Sequence, residues 1–308
     1  MSTFSRVSSA RHCSDALFFL TLALSPGERE TRFPHWLASG RFIFFVFFVF
    51  FVCFCERFLC AAPGPAALVR DGFAHNDYEH KRPLVDALEL GFCAVEADIY
   101  LVDGRILVGH DADKLSSERT LSSLYLEPLA KRVRENGGKV FRDGPEFLLL
   151  IDVKSDTEPT YAALKPLLAK YAPMLTKFTA NEIRTNAVTI ILSGNRPIET
   201  VSREAAEGRA ATRLAAIDGR MTDLDLNPPV ALVPLVSDNW TKLFQWNGTG
   251  TMSEAENARL KMLVSRAHQQ GRKIRLWAAP ETPEAWRLQR QLGIDLINTD
   301  HLVELSRL

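Results

Sequence analysis

The sequence predicts a single-domain (β/α)₈ TIM barrel over residues 67–308, preceded by a leader over residues 1–66. Three observations predict it. From residue 69 onward, short apolar runs alternate with amphipathic stretches. Such alternation implies a parallel sheet, because each crossover must carry the chain back to the start of the next strand. Nine strand-like runs spread evenly over this part of the chain, whose length is close to the ~250 residues typical of the barrel. Parallel strands covered on both faces should be apolar throughout, yet four runs carry a carboxylate or an imidazole near their C-terminal ends, where barrel sites sit.

The leader stands apart by composition. Of 19 phenylalanines in the 308-residue chain, 13 lie before residue 60, and Cys13, Cys53, Cys55 and Cys60 lie in the same part. Residues 42–55 form an uncharged apolar segment, of the length a signal-peptide core needs (about 7–15) and short of the roughly 20 residues that span a bilayer. Small residues over 60–67 fit a cleavage region, so the expectation is an exported protein, periplasmic or secreted. The alternative is an uncleaved anchor that brings the protein into contact with a membrane. Downstream only Cys93 remains, which excludes a disulfide framework in the barrel. Balanced charge, 37 basic against 37 acidic side chains, argues against a nucleic-acid partner. The sequence is silent on oligomeric state.

The elements follow in order. The first run, residues 70–75, ends on His75, and a helical pattern over 83–90 starts at Pro83 and stops at Gly91. Runs 94–101 and 106–110 are separated only by the Asp103-Gly104 turn and form a hairpin, so one of the nine is a hairpin partner. A helical pattern over 122–135 leads to run 147–153, and one over 161–175 leads to run 188–193. Pro197 opens a helix over 197–206, ahead of runs 213–217 and 230–236. Residues 254–270 read as a helix ended by Gly271 before run 274–278; residues 283–292 as another, from Pro283 to Gly293, before run 295–298. No G-x-G-x-x-G or P-loop pattern follows any strand, which weakens a nucleotide-binding reading.

The polar strand ends carry the candidate chemistry. Glu96 and Asp98 are two apart and project from one face of a strand, as do Asp152 and Lys154. Three carboxylates converging in a barrel mouth need compensation, since burying an uncompensated charge costs several kcal/mol. A divalent cation provides it, and an all-oxygen site suits Mg²⁺ or Ca²⁺ better than zinc. The competing reading is a buried salt-bridge network with Lys154 or an arginine. His75 and His110 end two further runs and are candidates for general acid and base. His80, five residues after His75, is a weaker metal candidate, and Trp240 and Trp277, near strand ends, are candidates for lining a pocket at the mouth, with core packing as the alternative.

These residues resemble the PLC-like phosphodiesterase superfamily. The resemblance rests on His75-Asn76-Asp77-Tyr78, the helix from Pro83 to Gly91, Glu96-Ala97-Asp98, Asp103-Gly104 and His110-Asp111. Asp152-Val153-Lys154, Arg275-Leu276-Trp277 and the run from Gly293 to Asp300 follow in the same order. Glycerophosphodiester phosphodiesterases are its best-understood members, and the His-Asn-Asp-Tyr start is most similar to the branch of the altered-inheritance-of-mitochondria protein 6 type. The resemblance implies a TIM barrel with His75 and His110 as acid and base, Glu96, Asp98 and Asp152 on a divalent cation, and Lys154 facing the substrate phosphate. Asn76, a candidate substrate-binding residue with Lys154 and Trp277, stands where the family has a phosphate-holding arginine, Asp77 where it has glycine, and Arg82-Pro83-Leu84 in place of Pro-Glu-Asn-Thr. Asp152 is one methylene shorter than the usual glutamate. The implied function is hydrolysis of a glycerophosphodiester or related lipid-derived phosphodiester. A sphingomyelinase-D-like lipase and a non-catalytic phosphoester-binding protein are the alternatives.

Overall fold

A computed structural model describes residues 67–180, 182–206 and 213–308. The leader, with its apolar segment 42–55, lies outside the described residues. Among the described residues no helix is long and apolar enough to cross a membrane.

Eleven strands are present among the described residues: β1 (Val69–Ala74), β2 (Phe92–Val102), β3 (Arg105–Val108), β4 (Phe147–Val153), β5 (Lys177–Phe178), β6 (Ile183–Arg184), β7 (Val188–Gly194), β8 (Ala216–Gly219), β9 (Leu235–Asn239), β10 (Lys273–Trp277) and β11 (Leu296–Thr299). Eight of them pair in parallel in the order β1-β2-β4-β7-β8-β9-β10-β11, and β11 pairs back onto β1. The ring is therefore closed. β3 is the antiparallel hairpin partner of β2 across Asp103-Gly104, with Asp103 at φ 48° and Gly104 at φ 75°, as a tight two-residue turn requires. β5 and β6 form a small separate hairpin.

Period-two alternation sorts each strand into an outward and an inward set. The outward set, including Val95, Ala97, Ile99, Leu149, Ile151 and Ile190, is buried under the helices. Inward-facing Phe73, Ala94, Leu148, Leu150, Ile191, Ala216, Leu235 and Leu296 pack together as an apolar plug in the barrel. Two residues further along the same faces the plug gives way to His75, Glu96, Asp152, Ser193, Asp218, Ser237 and Asn298. The polar mouth is thus the continuation of the plug's own alternation toward the C-terminal end.

Most element edges move by a few residues from the sequence expectation, and one strand moves further. Run 230–236 is a turn followed by β9 at Leu235–Asn239. Pro234 has no N–H to give to a ladder, and the carbonyls of Ala231 and Val233 accept from the buried Arg213 and Arg272 guanidiniums instead. The helix expected over 283–292 is found at Pro283–Leu292, with Thr282 accepting from the Ala285 N–H and Gly293 in the left-handed region at φ 85°.

Candidate functional site

Glu96 and Asp98 on β2 meet Asp152 on β4, because the parallel register sets Asp98 beside Asp152. One carboxylate oxygen from each of Glu96, Asp98 and Asp152 lies within 4.8 Å of the others. Among the described residues, Glu96 Oε2 and Asp152 Oδ1 are buried with no hydrogen-bond partner. Gly194 enforces this close approach: its φ is +66°, and a Cβ there would stand 2.0 Å from Asp152 Oδ1.

Partial compensation comes from two cations. Lys154 Nζ lies 3.2 Å from Asp98 Oδ2 and 3.3 Å from Asp152 Oδ1, and Arg275 Nη1 lies 3.7 Å from Glu96 Oε2. Burial pushes the Glu96 carboxyl above its usual range; Arg275 and His75 oppose this, while Asp98 and Asp152 add to it. Burial likewise raises Asp152 against the pull of Lys154, with Asp98 adding to the rise. Burial disfavours the Lys154 ammonium, but Asp98 and Asp152 outweigh it and hold its pKa above the ordinary value. Negative charge is in excess. The hard oxygen donor set, with two oxygens lacking hydrogen bonds among the described residues, fits a divalent cation.

Each histidine is backed by a carboxylate. His75 Nδ1 is 2.8 Å from Asp300 Oδ1, and its Nε2 faces Glu96 Oε2 at 3.7 Å. Burial works against the His75 imidazolium, yet the hydrogen bond to Asp300 and the charges of Glu96 and Asp300 outweigh it, and the pKa is raised. His110, on the segment after β3, sets Nδ1 at 2.9 Å from Asp98 Oδ2. With Nδ1 donating in both rings, both Nε2 atoms are left for other chemistry. Tyr78 connects the two sides: its hydroxyl donates to Asn76 Oδ1 at 2.7 Å and lies 3.3 Å from His110 Nδ1. The Asn76 amide also reaches Asp300 Oδ1 at 3.2 Å, so both ends of its side chain are engaged by protein groups. Asn76 adopts φ 49°, a left-handed conformation that asparagine tolerates.

Trp277 ends β10 on the same face as Arg275, half-buried. Trp240 is buried against Phe244 at 4.7 Å and Trp246 at 6.1 Å, so it is core packing. His268 pairs with Asp295 at 2.9 Å and His301 donates its N–H to Thr299 Oγ1; neither joins the cluster, and His80 is not part of the carboxylate group.

Several residues that sequence reasoning passed over join the site. Asp300 backs His75, and Glu281 Oε2 accepts from the Asp300 N–H at 2.8 Å. Asp218, fully buried at the end of β8, accepts from Ser193 and Ser237 at 2.8 and 2.6 Å. Arg275 donates to Asn298 at 3.0 Å and lies over the Phe73 ring at 4.3 Å, bridging the plug to the mouth. Asp218 and Arg275 did carry a signal: each interrupts an apolar strand at an inward position.

The AIM6-like phosphodiesterase domain family matches residues 69–210. An altered inheritance of mitochondria protein 6 from Lachancea thermotolerans is 32% identical over 280 residues, covering 76% of this chain and 64% of that protein. The homolog from Arthroderma benhamiae is 30% identical over 263 residues, covering 74% of this chain and 80% of that protein. This chain belongs to the altered inheritance of mitochondria protein 6 family. It spans just under two-thirds of the Lachancea relative's length. A solved calcium-dependent phosphoinositol-specific phospholipase C from Pseudomonas is similar at 12% identity with a TM-score of 0.46, over 78% of this chain and 92% of that one. In this altered inheritance of mitochondria protein 6 family member, the family match covers His75, Glu96, Asp98, His110, Asp152 and Lys154, whereas Asp218, Arg275 and Asp300 lie beyond it.

Proposed function

We propose that this chain is a divalent-cation-dependent phosphodiesterase acting on a glycerophosphodiester or related lipid-derived phosphodiester. The observation that carries the reading is the grouping of the Glu96, Asp98 and Asp152 carboxylates, two of whose buried oxygens have no hydrogen bond among the described residues, beside two imidazoles that each have a carboxylate behind them. Glu96, Asp98 and Asp152 would hold the cation, Mg²⁺ or Ca²⁺ by the chemistry of the donors. When bound, the cation supplies Lewis-acid stabilisation of charge on the phosphoryl oxygens.

The chain's own groups do the rest. One imidazole takes through Nε2 the proton of the substrate's own neighbouring hydroxyl, whose oxygen bonds to phosphorus as the P–O bond to the alcohol breaks, and the other gives its proton to the departing alkoxide. Water then opens the cyclic phosphate with the two imidazoles in exchanged roles. Asp300 and Asp98 hold the two rings by their Nδ1 atoms and stabilise each imidazolium as it forms. The Lys154 ammonium, partly exposed beside Asp98, is available to the phosphoryl oxygens. Trp277 faces the alcohol portion from the end of β10.

A second reading is favoured by the Lys154 contacts to Asp98 and Asp152, which would make the carboxylates a structural charge network in a phosphoester-binding protein. Assaying the purified chain with added Mg²⁺, added Ca²⁺ or chelator separates the two. The substrates are glycerophosphodiesters, lysophospholipids and sphingomyelin; glycerol 3-phosphate release from the glycerophosphodiesters supports the first reading, and choline release from sphingomyelin a sphingomyelinase-D-like one. No turnover under any condition refutes the hydrolase reading. For residues 1–66 we propose an export segment, checked by whether the protein leaves the cytoplasm and loses those residues.

A further inference from the structure

Three cations stand just beyond the ends of three consecutive barrel strands: Lys154 after β4, Arg196 after β7 and Arg220 after β8. Lys154 is engaged by the carboxylate cluster. The two guanidiniums are only partly used. Arg196 donates through Nη1 to the Asp218 backbone carbonyl at 2.5 Å, while its Nε is buried with no partner. Arg220 also works through Nη1, which meets Asp218 Oδ2 at 3.0 Å and the Gly219 carbonyl at 2.9 Å. The Asp218 carboxylate is ion-paired with Arg220 and also accepts from Ser193 and Ser237, while each guanidinium hydrogen-bonds within the described residues through Nη1 only. Burial, and next the like charge of Arg220, hold the Arg196 pKa below its usual value, as expected of two cations crowded together.

Arg196 is also held in place beside the cluster. The Asn195 N–H donates to the Val153 carbonyl at 2.8 Å, and its side-chain amide donates to the carbonyls of Lys154 and Ser155 at 3.2 and 3.1 Å. Together with Gly194, this wraps the start of the loop around Asp152 and Lys154. Neighbouring strands lie ~4.8 Å apart, so Lys154 and Arg220, two strands apart, are separated by roughly 10 Å along the rim.

We infer that Arg196 and Arg220 form a second anion subsite, which takes a phosphomonoester carried on the alcohol portion of the substrate, roughly 5–10 Å from the scissile phosphate. The inference rests on the phosphodiesterase reading for the location of the scissile group. It adds that the substrate carries, beyond the diester, a further charge of about −1.5 to −2 near neutral pH. Charge-assisted hydrogen bonds to the second phosphate should tighten binding by roughly ten- to a hundredfold.

The test is calorimetric titration of the purified full chain, with Mg²⁺ present, against myo-inositol 1-phosphate and myo-inositol 1,4-bisphosphate. The expected result is a bisphosphate Kd lower by roughly ten- to a hundredfold, with that ratio falling toward one in Arg196→Gln and Arg220→Gln. Arg196→Lys keeps the charge without the fork and should give an intermediate ratio; it covers the case in which the glutamine variant does not fold. Equal Kd values in the wild type overturn the inference, as does an unchanged ratio in variants that melt like the wild type. Turnover of the phosphodiester panel given above, with Mg²⁺ added and measured alongside, keeps the two readings distinct. No turnover with the binding ratio intact refutes the hydrolase and supports the subsite, whereas turnover with a ratio of one refutes the subsite alone.

Discussion

Removing one carboxylate from the cluster distinguishes a cation site from a salt-bridge network, and Asp152→Asn is the informative change. Three carboxylates face Lys154, at 3.2 and 3.3 Å from two of them, and Arg275, at 3.7 Å from the third. At an effective dielectric of ~20, one unit pair at ~3.2 Å is worth about 5 kcal/mol of Coulomb attraction before desolvation. In a pure network, whatever change in stability Asp152→Asn brings is the same with and without a cation. In a cation site the outcome differs. Burial already disfavours the Asp152 charge, so neutralising it without a cation should change the melting temperature little. With Mg²⁺ or Ca²⁺ at about 100 times its Kd, the wild type should gain about 2.7 kcal/mol by mass action, or about 5–11 °C for a domain of this size. Losing one ligand weakens binding by on the order of 100-fold, so the same concentration should then raise the variant by only about 1 °C. Scanning calorimetry with chelator, then with each cation, reads both proteins. A wild type that shows no cation-dependent shift, and whose turnover survives chelator, would refute the cation site.

His75→Ala and His110→Ala should each lower turnover by on the order of 10²–10⁴ with little change in melting temperature; large destabilisation with normal turnover of the folded fraction at both positions would sink the acid–base assignment. Gly194→Ala should push Asp152 out of position, since its Cβ would stand 2.0 Å from Oδ1 at a left-handed φ, and the cation-induced shift in melting should shrink without any change in a ligand's chemistry. Asp77 gives a pH signature away from the cluster. Burial raises its pKa to about 6, against hydrogen bonds from the Leu84 N–H and the Tyr125 hydroxyl, with smaller influences from His80 and Asp86. A folded-state pKa above the unfolded value means the folded chain binds more protons, so this contribution is fully present below about pH 4 and lost as pH rises through about 6. The wild-type minus Asp77→Asn difference in unfolding free energy should fall by up to about 3 kcal/mol between pH 4 and 7, read by urea titration; a difference that is flat or rises with pH refutes the assignment.

What the sequence by itself determined is the set of features that depend on neighbours along the chain. Alternation of runs identifies the parallel architecture, and the period of two puts Glu96 with Asp98, and Asp152 with Lys154, on shared faces. An acid ending the apolar run Leu148–Ile151 is legible as a candidate site residue, with a buried salt bridge to Lys154 as the competing explanation. The strand at 235–239 was displaced because an apolar run around Pro234 looks like a strand, while its carbonyls are taken by arginines from residues 213 and 272. Only the tertiary structure decided which residues complete the site. Asp300 reaches His75 across 225 residues because β11 closes the ring against β1. Asp218, Arg275 and Asn298 meet only because the inward faces of β8, β10 and β11 converge on one axis. Asn76 resembles a substrate ligand in sequence, yet Tyr78 and Asp300 take up its amide once the segment after β1 folds back. Periodicity is a property of one strand, whereas barrel closure sets neighbours between strands, and the pairing register that does so is fixed by the packing of the whole plug.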